Sequence, residues 1–452
     1  MTMDVRNISR VYFIGIGGIG MSALARFFNN RGAAVSGYDR TATALTATLE
    51  AEGMSVHYTD DVTLCDKETE LVIYTPAIPA SHTELNWFRD NGYPVYKRSD
   101  VLQWITETMF SVTVAGTHGK TTISTMTAYL LRETGYGCNA FLGGIAVNYG
   151  SNYWSSDNDT AVIEADEYDR SFLKLFPDVA VLTSIDPDHL DIYGTAAEME
   201  EAFIQYTRNI KSEGTLLVKH GLHRGKELKG PHTVTYSLQN DAADIYAADI
   251  MQEHGGYVFD VVGPGWRAER MRLRIGGMHN VENCVAAIAV TQMLGIDVDT
   301  VRTALDGFRG IRRRFEYLVN TEAHVYIDDY AHHPEELAAL IKSAKRLFPG
   351  RKCVVAFQPH LFSRTRDLAD GFAHSLDMAD EVILLDIYPA RELPLPGITS
   401  DVIASRMANP AHTVLSKEGL LEYVRSAKPA LFITAGAGDI DKLTGEIKKI
   451  LE

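Results

Sequence analysis

The chain has 452 residues, 46% hydrophobic and 23% charged, a globular composition that excludes disorder and a fibrous fold and leaves room for about three domains. Its formal charge of -16 at pH 7 argues against a nucleic-acid partner, because phosphate backbones require a basic face, so anionic ligands must be met by local positive sites. Cys65, Cys138, Cys284 and Cys353 contain no Cys-x-x-Cys pair and read as buried thiols of a reducing cytosol, and with no leader or long apolar run we expect a soluble cytoplasmic protein without a membrane partner.

In chain order, the first segment runs to about residue 107. Val11-Tyr12-Phe13-Ile14 predicts a buried strand, followed by Gly15-Ile16-Gly17-Gly18-Ile19-Gly20 and a helix with Leu24, Phe27 and Phe28 on one face. Gly15, Gly17 and Gly20 fit Gly-x-Gly-x-x-Gly, and the next strand, Ala34 to Tyr38, ends at Asp39, which completes a dinucleotide fingerprint. The physics of that loop is broader than its fingerprint: close backbone approach and a helix start attract any nucleotide diphosphate. Strand Leu71 to Tyr74 runs into a second loop, at Thr75, on the same sheet edge.

The central segment, about 108 to 314, opens on strand Phe110 to Val114 and the loop Gly116-Thr117-His118-Gly119-Lys120-Thr121-Thr122 before a helical pattern. Small residues let backbone N–H groups close on phosphate oxygens, lysine neutralises charge, and a hydroxyl ligates Mg²⁺. The spacing departs from Gly-x-x-x-x-Gly-Lys-Ser/Thr, because Val114 stands where the first glycine belongs. Gly143-Gly144-Ile145 through Asn148, Asn152 and Trp154 reads as a loop on the substrate side. Two strand ends then offer metal ligands, Glu164 in Glu164-Ala165-Asp166-Glu167 and His189 in Asp188-His189-Leu190-Asp191, beside the phosphate loop in a parallel sheet. Residues 215 to 275 suggest an antiparallel patch, with short strands at Thr233 to Tyr236 and Gly256 to Phe259. His279, Asn280 and Asn283 stand at the start of an alanine-rich helix, as caps or as contacts to a nucleotide base.

From about 315 the pattern alternates again: strand Val325 to Ile327, helix Pro334 to Leu347, strand Cys353 to Phe357, helix Asp367 to Ala379, and strands Val382 to Leu385 and Leu431 to Thr434. This predicts a further doubly wound α/β domain, reached through Arg312-Arg313-Arg314. Polar residues gather after its strands, at Asp328-Asp329-Tyr330-Ala331-His332-His333-Pro334, at Gln358-Pro359-His360-Leu361-Phe362-Ser363-Arg364, at Tyr388-Pro389-Ala390-Arg391-Glu392 and at Gly436-Ala437-Gly438-Asp439. On one carboxyl edge they suggest a substrate face where arginine suits a carboxylate.

Taken together, the Gly15 and Gly116 loops, Glu164-Ala165-Asp166-Glu167, Asp188-His189-Leu190-Asp191, His279-Asn280 with Asn283, Arg313-Arg314-Phe315, Asp328 to Pro334 and Phe357-Gln358-Pro359-His360 resemble the Mur ligases over essentially the whole chain. The resemblance implies three α/β domains: a Rossmann-like domain for a UDP substrate (1–107), a P-loop ATPase-like domain carrying the antiparallel patch (108–314), and a Rossmann-like domain for an amino acid (315–452). It implies a cytoplasmic, ATP- and Mg²⁺-dependent ligase, with two ions, that joins L-alanine to the lactyl carboxylate of UDP-N-acetylmuramate in peptidoglycan precursor synthesis.

By the same resemblance, the UDP substrate meets Gly15, Gly17, Gly18, Ile19, Gly20, Asp39, Thr75 and Asn152. ATP meets Gly116 to Thr122 with Lys120 central, then His279, Asn280, Asn283, Arg314 and Asp329, while Thr121, Glu164 and His189 hold metal. The amino acid falls to Tyr330, His332, His360 and Arg364, with Lys120, His332 and Arg364 in catalysis and His332 the candidate proton acceptor. Many relatives carry arginine after the equivalent of His360; Leu361 stands there here, which leaves Arg364 as the candidate for the carboxylate. The alternatives are a murein tripeptide ligase of the same family, an NAD-dependent oxidoreductase using the Gly15 loop, and a non-catalytic nucleotide-binding regulator. Oligomeric state is not legible in the sequence.

Overall fold

The computed structural model describes residues 5–187, 190–390 and 392–452, and its three sheets follow one another along the chain, giving the three-domain α/β class expected. The first sheet contains β1 (Arg10–Ile14), β2 (Ala34–Tyr38), β3 (Ser55–His57), β4 (Leu71–Tyr74) and β5 (Val95–Lys97) in the order β3-β2-β1-β4-β5, with every pair parallel. Strand order reverses between β1 and β4, so the crevice outside their carboxyl ends receives both Gly15 and Thr75.

The second sheet contains β6 (Phe110–Ala115), β7 (Asn139–Ala146), β8 (Ser151–Trp154), β9 (Thr160–Glu164), β10 (Val179–Leu182), β11 (Thr215–Lys219), β12 (His232–Ser237), β13 (Ile245–Glu253), β14 (Gly256–Gly263) and β15 (Trp266–Leu273). Its order is β15-β14-β13-β12-β11-β10-β6-β9-β7-β8. β6, parallel to β9 and β10 on either side, is buried from Ser111 to Ala115, which is why it reads as a near-continuous apolar run. The third sheet contains β16 (Glu316–Asn320), β17 (Val325–Asp329), β18 (Cys353–Phe357), β19 (Glu381–Leu384), β20 (His412–Val414) and β21 (Leu431–Ala435), ordered β16-β17-β21-β18-β19-β20, with only β16 antiparallel to its neighbour.

Three local expectations are corrected. The stretch from Gly143 to Trp154 is largely an antiparallel hairpin of β7 and β8, not a loop. Within the expected antiparallel patch, the Thr233–Tyr236 strand pairs parallel with β11; the tight turns lie further on, between β13, β14 and β15. The helix expected from Asp367 to Ala379 is two, Phe362–Asp367 and Ala369–Leu376, broken where Leu368 leaves helical geometry (φ -115°).

The chain divides into two compact units, one of residues 1–248, 260–269 and 282–305, the other of residues 249–259, 270–281 and 306–452. Within the first unit, two sheets share a core. Helix Ile19–Asn30 sets Phe27 against Phe141, with ring centroids 5.4 Å apart, and against Tyr153 at 6.5 Å. Asn152, fully buried, ties the same helix: its Nδ2 donates to Ile19 O (2.5 Å) and Ser22 Oγ (3.2 Å), and its Oδ1 accepts from Arg26 Nη1 (2.5 Å). The amide expected to contact substrate therefore has both its ends engaged in positioning the helix whose start carries the Gly15 loop.

A second buried network lies in the first sheet. Tyr12 of β1 donates its hydroxyl to Glu84 Oε2 (2.7 Å), Asp61 N donates to Oε1 (3.0 Å), and burial pushes this carboxyl from 4.5 up to about 7.

Two measurements test these networks. Asn152→Ala removes the buried bonds to Arg26 Nη1 and the Ile19 carbonyl, while Arg26 keeps Glu52 and Ile19 O keeps Ser22 Oγ, and should lower the unfolding free energy by about 1–3 kcal/mol in denaturant titrations; a change below ~0.5 kcal/mol contradicts the tie. A raised carboxyl pKa contributes stability that is fully present below pH 4.5 and is lost as pH rises through about 7. Glu84→Gln should therefore gain on the wild type between those pH values and then level off, whereas a pH-independent difference contradicts the burial of an unneutralised acid.

Candidate functional site

β6 ends between β9 and β10, and the chain turns through Gly116 (φ 127°) and Gly119 (φ 83°) into helix Lys120–Glu133. Both positions exclude a side chain. A Cβ on Gly116 would lie 2.1 Å from Thr183 Oγ1 and 2.8 Å from Ser184 N, and one on Gly119 would lie 2.8 Å from Asn283 Oδ1; both φ values also belong to glycine. The loop is shaped by the segment after β10: Thr117 N donates to Ser184 O (3.2 Å), His118 N donates to Ser184 Oγ (2.9 Å), and Thr117 Oγ1 lies 2.8 Å from that hydroxyl. Sequence reasoning passed over Thr183 and Ser184, since their signal is a position after a strand and not a motif.

Lys120 Nζ donates to Gly116 O (2.6 Å) and to the Glu167 carboxylate (2.7 Å). Glu167 is 1% exposed, and Tyr193 OH donates to its main-chain carbonyl (2.6 Å), so the acid that holds the lysine is itself fixed. Thr121 Oγ1 donates to Glu164 Oε1 (3.0 Å) while Gly143 N donates to Oε2 (3.0 Å). A hydroxyl and a carboxylate side by side at a phosphate loop form the oxygen donor set that a small hard cation takes. Thr122 is buried one residue further along the helix, and His189 lies outside the described residues.

A cleft of about 360 Å³ separates the Gly15 loop from the end of β9, with Gly18, Ile19, Gly20 and Thr75 on one side and Gly143, Glu164 and Asp166 on the other. Helix Ile19–Asn30 starts there with no side-chain cap and no acid in its first turn, which leaves orphan N–H groups and a positive dipole end for an anion. Asp39 accepts from Gly17 N (2.8 Å) and Thr41 N (3.1 Å), so its carboxylate shapes the loop. A Cβ on Gly15 would lie 2.8 Å from Thr75 Cγ2, which puts the two predicted loops in contact. Among the expected residues, the first unit thus assembles the Gly15 loop, Thr75, the Gly116 loop, Glu164 and Asn283.

The second unit carries the remainder. His279 packs over Gly277, where a Cβ would lie 2.5 Å from its Cε1, and Asn280 Nδ2 donates to Gly276 O (2.7 Å). Asp329, ending β17, accepts from Phe315 N (2.6 Å) and Ala331 N (2.7 Å), and burial pushes its carboxyl up to about 6. Arg314 donates its main-chain N–H to Ile311 O (3.2 Å). Its neighbour Arg313 is anchored inside the domain, bonded to the Gly436 and Gly438 carbonyls, 3.3 Å from Asp328 and stacked over Tyr330.

Four rings make a file at the carboxyl edge of the third sheet. Centroids of Tyr330 and His332 are 5.2 Å apart, those of His332 and His360 6.4 Å, and His360 stacks on Tyr388 at 5.8 Å. Burial, then the nearness of the Arg364 guanidinium and the His332 ring, lower the His360 pKa. His332 Nδ1 lies 2.9 Å from Tyr330 O; a carbonyl only accepts, so Nδ1 carries a proton and Nε2 is the ring nitrogen that can accept one. Arg364 Nη1 and His360 Nδ1 are buried with no hydrogen-bond partner among the described residues, and unpartnered buried polar atoms of this kind mark a place for a polar ligand. Leu361 turns the chain there at φ 70°, a strained conformation for its residue type.

Comparison with known proteins covers all these elements. Family models match residues 10–109 (Mur ligase family, catalytic domain), 114–291 (Mur ligase middle domain) and 313–438 (Mur ligase, glutamate ligase domain). The chain is similar to the UDP-N-acetylmuramate--L-alanine ligase of Cytophaga hutchinsonii, at 46% identity covering 100% of this chain and 98% of that one. Its Porphyromonas gingivalis counterpart is 48% identical, covering 98% and 99%. Among solved structures, the UDP-N-acetylmuramate-alanine ligase of Thermotoga maritima superposes with a TM-score of 0.81 at 28% identity, covering 97% of this chain and 98% of that chain.

The glycine geometry yields a direct test. Gly116→Ala forces a methyl onto Thr183 and Ser184 at positive φ, and should abolish calorimetrically detectable ATP binding while the fold survives by circular dichroism. Wild-type ATP affinity in that variant refutes the assignment of the loop.

Proposed function

The chain belongs to the Mur ligase family, and we propose that it uses this scaffold to join L-alanine to the lactyl carboxylate of UDP-N-acetylmuramate in an ATP-driven step of peptidoglycan precursor synthesis. The supporting observation is the cleft in which a helix start suited to a diphosphate faces Glu164, itself bonded to Thr121 of the phosphate loop. One ligand's reacting end can there meet the terminal phosphate of another.

A carboxylate is a poor electrophile. It first attacks the γ-phosphoryl group of ATP, forming a mixed carboxylic–phosphoric anhydride and releasing ADP; the neutral amine of L-alanine then attacks the acyl carbon, a proton leaves the nitrogen, and inorganic phosphate departs. Phosphoryl transfer of this kind is governed by positioning and charge stabilisation. Lys120 stands at the phosphate loop with its ammonium 2.7 Å from Glu167, and in this reading it turns from that carboxylate to the transferring phosphoryl oxygens. Thr121 and Glu164 would hold magnesium, which would supply neutralising charge at the phosphates. We extend the proposal to two ions, which the stoichiometry of Mn²⁺ bound with a non-hydrolysable nucleotide would count.

For the amino acid we propose Arg364 and His360, through their unpartnered nitrogens, as donors to the carboxylate, and His332 Nε2 as the acceptor of the amine proton. His279, Asn280, Asn283, Arg314 and Asp329 remain our proposed contacts to ATP, with domain limits at 1–107, 108–314 and 315–452. No helix among the described residues is long and apolar enough to cross a membrane, and we place the reaction in the cytoplasm, where its nucleotide substrates are made.

Lys120→Ala should cut turnover by at least ~10²-fold, the typical effect of removing one transition-state donor; near-normal turnover overturns its role. With ATP and UDP-N-acetylmuramate present, ADP release should be fastest on adding L-alanine, compared with glycine, L-serine and a murein tripeptide. Preference for the tripeptide would reassign the substrate within the family.

A further inference from the structure

We propose that Arg98 binds an anionic group of the UDP-linked substrate, an inference that rests on the function assigned above. No sequence motif marks this residue; its position does. Among the described residues lining the cleft, Arg98 alone carries positive charge, opposite Glu164 and Asp166.

Arg98 opens helix Arg98–Thr108 and lays its side chain across Gly20, where a Cβ would lie 2.4 Å from Nη1 and 3.1 Å from Cζ. The guanidinium thus lies directly against the third glycine of the loop. That places a cation against the start of helix Ile19–Asn30, which has neither a side-chain cap nor an acid in its first turn. Two positive ends brought together are unfavourable unless an anion lies between them. The nearest carboxylate answers this only partly: Arg98 Nη2 is 3.7 Å from Asp166 Oδ2, beyond hydrogen-bond distance, although the side chain is only 23% exposed. The ion pair two residues further along the same helix is complete by comparison, with Lys174 Nζ at 2.5 Å from Asp100 Oδ1. Arg98 thus retains a planar array of N–H donors, the geometry that takes a carboxylate or phosphate in two parallel bonds.

The substrate brings two such groups, its diphosphate and its lactyl carboxylate, and both are oxyanions. With one bound to Arg98, the negative field of Glu164 and Asp166 is opposed where two anionic reactants must approach each other.

Steady-state kinetics of Arg98→Ala and Arg98→Lys test this. KM for UDP-N-acetylmuramate should rise ~10- to 100-fold in Arg98→Ala, the loss expected for a hydrogen bond to a charged group, with smaller loss in Arg98→Lys and unchanged KM for ATP and L-alanine. A purely structural role would not raise one KM selectively. Calorimetry with UDP alone separates the two oxyanions: equal loss of UDP affinity assigns the diphosphate, and unchanged UDP affinity with weakened binding of the full substrate assigns the carboxylate. Unchanged KM in both variants, or an equal rise for all three substrates, overturns the proposal. Arg98→Lys carries the test alone if the alanine variant does not fold. An inactive wild type would instead overturn the functional reading.

Discussion

Placing positive charge inside an acidic chain is the constraint on which the structure depends. With a net charge of -16, the chain as a whole repels anions, and substrates carrying phosphates and carboxylates are best held by backbone N–H groups, helix starts and individually placed cations. The chain meets this at parallel-sheet edges. β6, β9 and β10 lie side by side, so the phosphate loop, Glu164 and the Thr183–Ser184 pair emerge at one end of one sheet. Lys120 is held beside the loop by the Gly116 carbonyl and the buried carboxylate of Glu167.

The same constraint explains why two sheets behave as one body. The cleft has walls from both, and a shift of one wall against the other would separate a helix start from Glu164. Phe27 against Phe141 and Tyr153 supplies apolar area, while Asn152 and Arg26 supply direction through buried hydrogen bonds. Apolar packing alone permits sliding; buried amide bonds have a narrow geometry and a large penalty for being broken. The tie reaches the first turn of the helix that carries the Gly15 loop, so the anion site and the inter-sheet joint are built from one element.

Glycine-rich loops illustrate how little a fingerprint says about its ligand. Gly15, Gly17, Gly20 and Asp39 satisfy a dinucleotide pattern, yet Asp39 accepts from the loop's own Gly17 N–H, and Arg98 lies directly against Gly20. The Gly116 loop fits its standard spacing poorly and still has the geometry that phosphate binding needs, because Gly116 and Gly119 are excluded from bearing side chains by Thr183, Ser184 and Asn283.

The sequence by itself determined whatever depends on local pattern: buried parallel strands such as β6 and β18 as apolar runs, the glycine loops at strand ends, Lys120 and Thr121 at a helix start, and helix Pro334–Leu347 with its limits. Asn152 looked like a loop residue because a hairpin strand with its amide turned inward has the same composition as a polar loop, and β12 looked antiparallel because short strands do not encode the direction of their partner. Ser184 and Arg98 stayed silent, and the partners of Glu167 and Tyr388 stayed hidden although their motifs showed, for one reason: each acts through a residue far away along the chain, and no periodicity records that. Tertiary structure alone decided which cation stands in the cleft, since charge acts through distance in space and the chain records only distance along itself.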